Sequence, residues 1–166
     1  MIRSRIWYEL CQAKHNHLYC MLLMNYQKRW LNNVNIIILA FSSEGIIGWP
    51  IWKQGILAVI ACVIIAVIQI LKLIQSHIVP SERQIEKLEK VVKYYTTYYN
   101  QIEQVWLDCF NNRCSEVDSQ TKFYEIKKTE DDISLTTYEV IKRTNRGVKK
   151  LAGIETRNYL KQVFNV

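Results

Sequence analysis

The chain has 166 residues, 49% hydrophobic and 22% charged, with a net charge of +7 and five cysteines. Once the long apolar stretch at 55–71 is set aside, that length leaves room for one integrated unit and for no separate catalytic domain. The charge divides as +4 over 1–33, +1 over 34–75 and +2 over 76–166, and the last segment mixes both signs too evenly for a nucleic-acid face, so anionic headgroups are the expected partner and nucleic acid is not.

The cysteines Cys11, Cys20, Cys62, Cys109 and Cys114 are odd in number and contain no Cys-x-x-Cys pair. That pattern fits free thiols in a reducing compartment rather than a disulfide framework. Five glycines and two prolines leave few breaks, which predicts long helices.

Residues 4–31 read as an amphipathic helix. Ile6, Leu10, His17 and Met21 fall at helical spacing, with Leu18 and Leu22 beside them. The segment 1–33 is expected to lead into the membrane, either packed on the tail or lying at the headgroups. His15 and His17 stand two apart, so they point to different helix faces, and no carboxylate or thiolate motif accompanies them. No metal site is expected there.

Residues 34–52 read as a first membrane span. Trp30, Trp49 and Trp52 sit where interfacial aromatics belong, and Pro50, Lys53 and Gln54 supply the turn that follows. At 100° per residue Asn32, Asn35, Ser42 and Ser43 share one arc, while Asn33, Glu44 and Gly48 cluster opposite. Two polar stripes suit a bundle better than lipid, and Asn33, Glu44 and Gly48 are the candidate pore-lining face. Glu44 is either an ionisable group at membrane depth, which marks function by default, or an outer headgroup residue if the span ends before it.

Residues 55–75 form the stronger span. Gly55–Leu71 has no charge, no proline and one polar side chain, Gln69, and a helix to Gln75 is about 30 Å long, enough to cross a bilayer core. Gly55, Ala58, Cys62, Ala66 and Gln69 make a narrow stripe of small residues that permits close helix approach. This is the candidate membrane packing face. Arg3, Arg5, Lys14, Lys28 and Arg29 precede the hairpin, Lys72, Arg83, Lys87, Lys90 and Lys93 follow the second apolar run, and the connection holds only Lys53. The positive-inside rule then places both termini in the cytoplasm. A signal peptide is a poor fit, because no small-residue cleavage site follows the apolar run.

The tail, 76–166, opens after Pro80. Ile85, Leu88, Val92, Tyr95, Tyr99, Ile102, Trp106 and Cys109 alternate steps of three and four, which predicts a long helix whose seam is the core of an antiparallel bundle. Tyr94 and Tyr98 fall just off that seam. Asn111-Asn112 is expected to end this helix, and 116–143 to resume helical character. The run Glu130-Asp131-Asp132 reads as a solvated face or a break. A last helix is expected from Val148 to Val163, preceded by Gly147 and interrupted by Gly153.

Strand patterns are absent from the tail. No phosphate-cradling glycine loop, HExxH or nucleophile elbow occurs, so neither an enzyme nor a cofactor is expected. The fold class is an all-α membrane protein: an N-terminal amphipathic helix, a two-span hairpin and a C-terminal cytoplasmic helical bundle.

Several stretches carry a resemblance. They are Tyr26-Gln27-Lys28-Arg29-Trp30, the Asn-rich Leu31-Asn32-Asn33-Val34-Asn35-Ile36-Ile37, the two close spans, and the long helix 81–109 with Tyr98-Tyr99-Asn100-Gln101-Ile102-Glu103. The layout resembles the SLATT proteins, small two-transmembrane effectors of bacterial conflict systems. That likeness implies a homo-oligomer in the bacterial inner membrane that permeabilises it in anti-phage defence. It also implies a nucleotide-second-messenger synthase or sensor encoded nearby. Two other readings stand beside it: a non-pore membrane adaptor recruiting a soluble partner through its tail, and a phage-encoded lysis or exclusion protein.

Overall fold

The structure, a computed structural model, describes residues 2–47, 63, 66, 67, 69, 70 and 81–164. All regular structure among these residues is helical. Four helices have described bounds: α1 (Ile2–Ile47), α2 (Glu82–Phe110), α3 (Glu116–Val140) and α4 (Arg146–Phe164). The chain divides into two compact units, Met1–Asn25 with Glu86–Val166, and Tyr26–Ile85. The helices α1 and α2 each cross that division.

Local chemistry sets the helix ends. Ser81 and Gln84 form a reciprocal capping box: the Ser81 hydroxyl accepts from the Gln84 N–H at 3.3 Å, and Gln84 Oε1 accepts from the Ser81 N–H at 3.0 Å. Past Phe110 the chain turns at Asn112, whose φ of 54° is left-handed, a conformation asparagine tolerates well. The Arg113 N–H then closes back on the Asp108 carbonyl at 2.9 Å. Ser115 caps α3 by accepting from the Asp118 N–H at 3.1 Å, with Glu116 and Asp118 in the first turn. Asn145 caps α4, its Oδ1 accepting from the Val148 N–H at 3.1 Å.

The first unit is an antiparallel four-helix bundle with two contiguous cores. Ile2, Ile6, Leu10 and Ala13 of α1 pack with Tyr98, Tyr99, Ile102 and Val105 of α2 and Phe123 of α3. Leu18, Tyr19, Cys20 and Leu23 pack with Leu88, Val91 and Tyr95 of α2 and Ala152 of α4. The start of α1 therefore meets the later part of α2. Asn25 and Glu86, where the chain leaves and re-enters this unit, lie at one end of the bundle.

The sequence expectations and the structure part at two places. The first 25 residues supply one wall of the bundle, and the acidic run at 130–132 is helical throughout, so it is no break between helices. Gly153 does not interrupt α4, where packing outweighs local propensity. The most buried register on α2 is Leu88, Val91, Tyr95, Tyr98, Ile102, Val105 and Cys109, whereas Val92 and Trp106 are half-buried. That helix has neighbours on both flanks, so Tyr98, expected just off the seam, lies at its centre with 2% exposure.

Among the described residues no helix is long and apolar enough to cross a membrane. Most of the expected span 55–75, and residues 48–52 of the expected span 34–52, lie outside the described residues.

Candidate functional site

Two polar clusters sit inside the bundle. The first is built around Glu9, which stands in the apolar stripe of α1 between Ile6 and Leu10 and is only 8% exposed. Two other helices satisfy it. Tyr98 of α2 donates its hydroxyl to Oε1 at 2.8 Å, and the Lys127 ammonium of α3 reaches Oε2 at 2.6 Å. A carboxylate in an apolar wall is tolerable only with such partners. Burial, reinforced by Glu9, drives the Tyr98 hydroxyl far above its ordinary value. Glu130 is also raised, by burial, by Glu9 and by Asp131, with Lys127 opposing.

The second cluster joins α1, α2 and α4. The hydroxyls of Tyr99 and Tyr159 touch each other, and both reach Glu103 Oε1, at 2.6 and 2.7 Å. Lys14 places its ammonium 3.6 Å from the Tyr159 ring centroid and 4.2 Å from that of Tyr99, a cation–π clamp. Burial lowers the Lys14 pKa while Glu103 opposes the shift. The His17 ring stacks on Tyr99 with centroids 6.1 Å apart. Burial, and then the Lys14 charge, pushes His17 below its ordinary 6.5, so it is neutral at pH 7.

This chemistry is that of a lock rather than a reaction. Burial holds both core tyrosines protonated, two aromatic rings cover Lys14, and burial raises the thiols of Cys11 and, to about 12, of Cys20, which leaves them poor nucleophiles. Among the described residues no three His, Cys, Asp or Glu side chains are placed to hold a metal. What the clusters do is fix which helices pair, and in what register.

A cavity of about 490 Å³ opens between α1, α2 and α3, lined by Asn16, Tyr19, Tyr95, Thr137, Glu130 and Asp131 among others, with no lysine or arginine. A second, apolar groove of about 550 Å³ is lined by Trp7, Trp106, Leu107, Phe110, Asn111, Val163 and Phe164.

Of the expected seam, Leu88, Tyr95, Tyr99 and Ile102 are buried, Val92 and Trp106 half-buried, and Ile85, which belongs to the second unit, is buried. Of the candidate pore-lining residues, Asn33 is exposed on α1, the Glu44 side chain is not among those described, and Gly48 lies outside the described residues. Of the candidate packing face, Ala66 and Gln69 are helical and exposed, and Gly55, Ala58 and Cys62 lie outside the described residues. Sequence reasoning missed Glu9, Lys127, Glu103 and Tyr159. One signal was available for Glu9, a lone acid at a core position of an otherwise apolar stripe.

The second unit is notable for what it exposes. Trp30, Ile36, Ile37 and Leu39 of α1, and Val63, Val67 and Ile70, are all exposed, Leu39 to 71%. No family model matches this chain, and no curated protein or solved structure matches it.

Proposed function

We propose that this chain is a membrane effector. In this reading residues 34–75 cross the bacterial inner membrane as a hairpin and both termini are cytoplasmic. The chain oligomerises, and on a trigger it permeabilises or depolarises the membrane, arresting a phage-infected cell. One observation carries the reading: large apolar side chains exposed along the second unit at Ile36, Ile37, Leu39, Val63, Val67 and Ile70. A surface of that kind is left bare only where lipid or another protein covers it. The uncharged run Gly55–Leu71 supports hydrocarbon as the cover. In this reading the trigger reaches the chain through a separately encoded nucleotide-second-messenger synthase or sensor.

The test is induced expression with a potential-sensitive dye, with and without neighbouring genes. Depolarisation and growth arrest that depend on the signalling partner are expected. An unchanged potential with the chain firmly in the membrane would favour the second reading, a non-pore adaptor. The apolar groove at Trp7, Trp106, Phe110 and Phe164 is the observation on its side.

A further inference from the structure

Charge in the bundle is segregated by helix. Counting Asp and Glu against Lys and Arg, α3 has a net charge of −4, against +4 for α4, +3 for α1 and −1 for α2. The acidic helix is also the one that bares the most apolar surface. Among the described residues the three most exposed large hydrophobic side chains, Val117, Leu135 and Tyr138, all belong to α3. At 100° per residue they share an arc of about 60° with Tyr124 and Asp131, on the side of the helix away from the buried Ser119 and Phe123. Arg5 holds one half of this stripe, donating to the Tyr124 hydroxyl at 2.7 Å. The other half, Leu135 and Tyr138, stands open to solvent at 76% and 83% exposure.

The groove between α1, α2 and α4 has the opposite character. Its wall is a run of touching rings: Trp7 on Trp106 at 5.0 Å, Trp7 on Phe164 at 5.1 Å, and Trp106 on Phe110 at 5.9 Å between centroids. No charged side chain lines it, but basic residues flank the lining on three sides. Arg3 lies one turn before Trp7 and donates to Asn112 at 2.5 Å, Arg113 follows that turn, and Lys161 lies one turn before Phe164. Asp108 is the acid beside Leu107. An aromatic slot with a basic rim complements an apolar ridge with acidic flanks in both shape and charge.

The two surfaces cannot meet within one copy. The chain turns at Asn112, so α3 starts at the groove end of the bundle and runs away from it. Leu135 lies 18 residues beyond Val117, about 27 Å along the helix, on its outward face.

We infer that the Leu135–Tyr138 stripe of α3 docks into the Trp7–Trp106–Phe110 groove of a second copy of this chain. Groove and stripe are different surfaces, so each copy offers one of each, and the contact is heterologous, continuing into a ring or a filament. The inference deepens the oligomeric part of the proposed function, and it does not depend on whether residues 34–75 cross a membrane. A groove filled by a second copy is closed to a separate soluble partner.

The test is sedimentation velocity on the full chain in a mild detergent. Phe110→Asp sets an acid against the acidic stripe, and Leu135→Lys sets a base against the basic rim. Both positions are exposed, Phe110 to 62%, so the circular dichroism of both variants should match the parent. Losing one buried Phe or Leu contact weakens association at least about tenfold, and each variant alone should show that loss. An equal mixture of the two should pair again and stop at dimers, because the L135K copy keeps an intact groove for the intact stripe of the F110D copy. Association of L135K like the parent, with F110D impaired, would mean that two grooves face each other and would overturn the inference. Parent-like association of both variants, or of F110D alone, would place the contact elsewhere and overturn it while leaving the oligomer standing. A mixture that fails to pair would also overturn it. A monomeric parent would defeat the docking and the oligomeric part of the proposed function together.

Discussion

Tyr98 donates its hydroxyl to Glu9 across 89 residues of sequence, at 2.8 Å, in the buried centre of the bundle. Lys127 approaches the other carboxylate oxygen but keeps 39% of its side chain exposed. Both partners nevertheless matter to the buried carboxylate. Tyr98→Phe leaves it short of a donor and should cost about 1–3 kcal/mol. Lys127→Met removes the counter-charge of a side chain only 10% exposed and should cost as much or more, about 3 kcal/mol. Chemical denaturation of both variants checks this, and a loss near zero for Lys127→Met would contradict it.

The register of α2 is open to a direct comparison. Val91 is fully buried and its neighbour Val92 half-buried. Val91→Asp strands a charge in the core and should abolish folding, while Val92→Asp should leave a folded, weakened chain. Circular dichroism melts of the two variants distinguish the registers. A Val92→Asp chain that fares worse would restore the seam through Val92, Tyr99 and Trp106.

Part of the bundle was legible because its signals are local. Asn111-Asn112 was expected to end the long tail helix, and the chain turns there at Asn112. The seam was half legible: two registers share Leu88, Tyr95, Ile102 and Cys109, and a tyrosine follows in either one, Tyr99 in the expected register and Tyr98 in the observed. Only neighbours on both flanks of α2 decide between them. Glu9 with Lys127, 118 residues apart, is a tertiary fact that no spacing encodes. Gly153 shows packing carrying a residue that local propensity would break.

Gly153 offers a stabilising change. A Cβ there would meet only His15 Cε1, at 4.0 Å, an ordinary contact. Gly153→Ala removes unfolded-state freedom without a clash and should stabilise the chain by about 0.4–1 kcal/mol. A lowered thermal midpoint would show that α4 and α1 are closer at that point than the structure places them.

Stability should fall on mild acidification. His15 and His17 are both held below their ordinary 6.5, by burial first and then by Lys149 and Lys14 respectively. The unfolded chain takes up these protons near pH 6.5 while the folded chain resists them, so stability present at pH 7.5 is lost as pH drops through 6.5. Glu130 is raised, takes its proton earlier when folded, and acts in the opposite direction. The thermal midpoint between pH 7.5 and 6 should decline in the parent and flatten in H15Q/H17F, and equal slopes would contradict the assignment.

The central claim is that residues 34–75 cross the membrane with the bundle on the inner side. In a cysteine-free background, Trp52→Cys at the expected hairpin tip and Thr144→Cys on the exposed α3–α4 turn report opposite faces. In intact spheroplasts a membrane-impermeant maleimide should label Trp52→Cys at once and Thr144→Cys only after lysis. Labelling of Thr144→Cys in intact spheroplasts, or of Trp52→Cys only after lysis, would contradict the account.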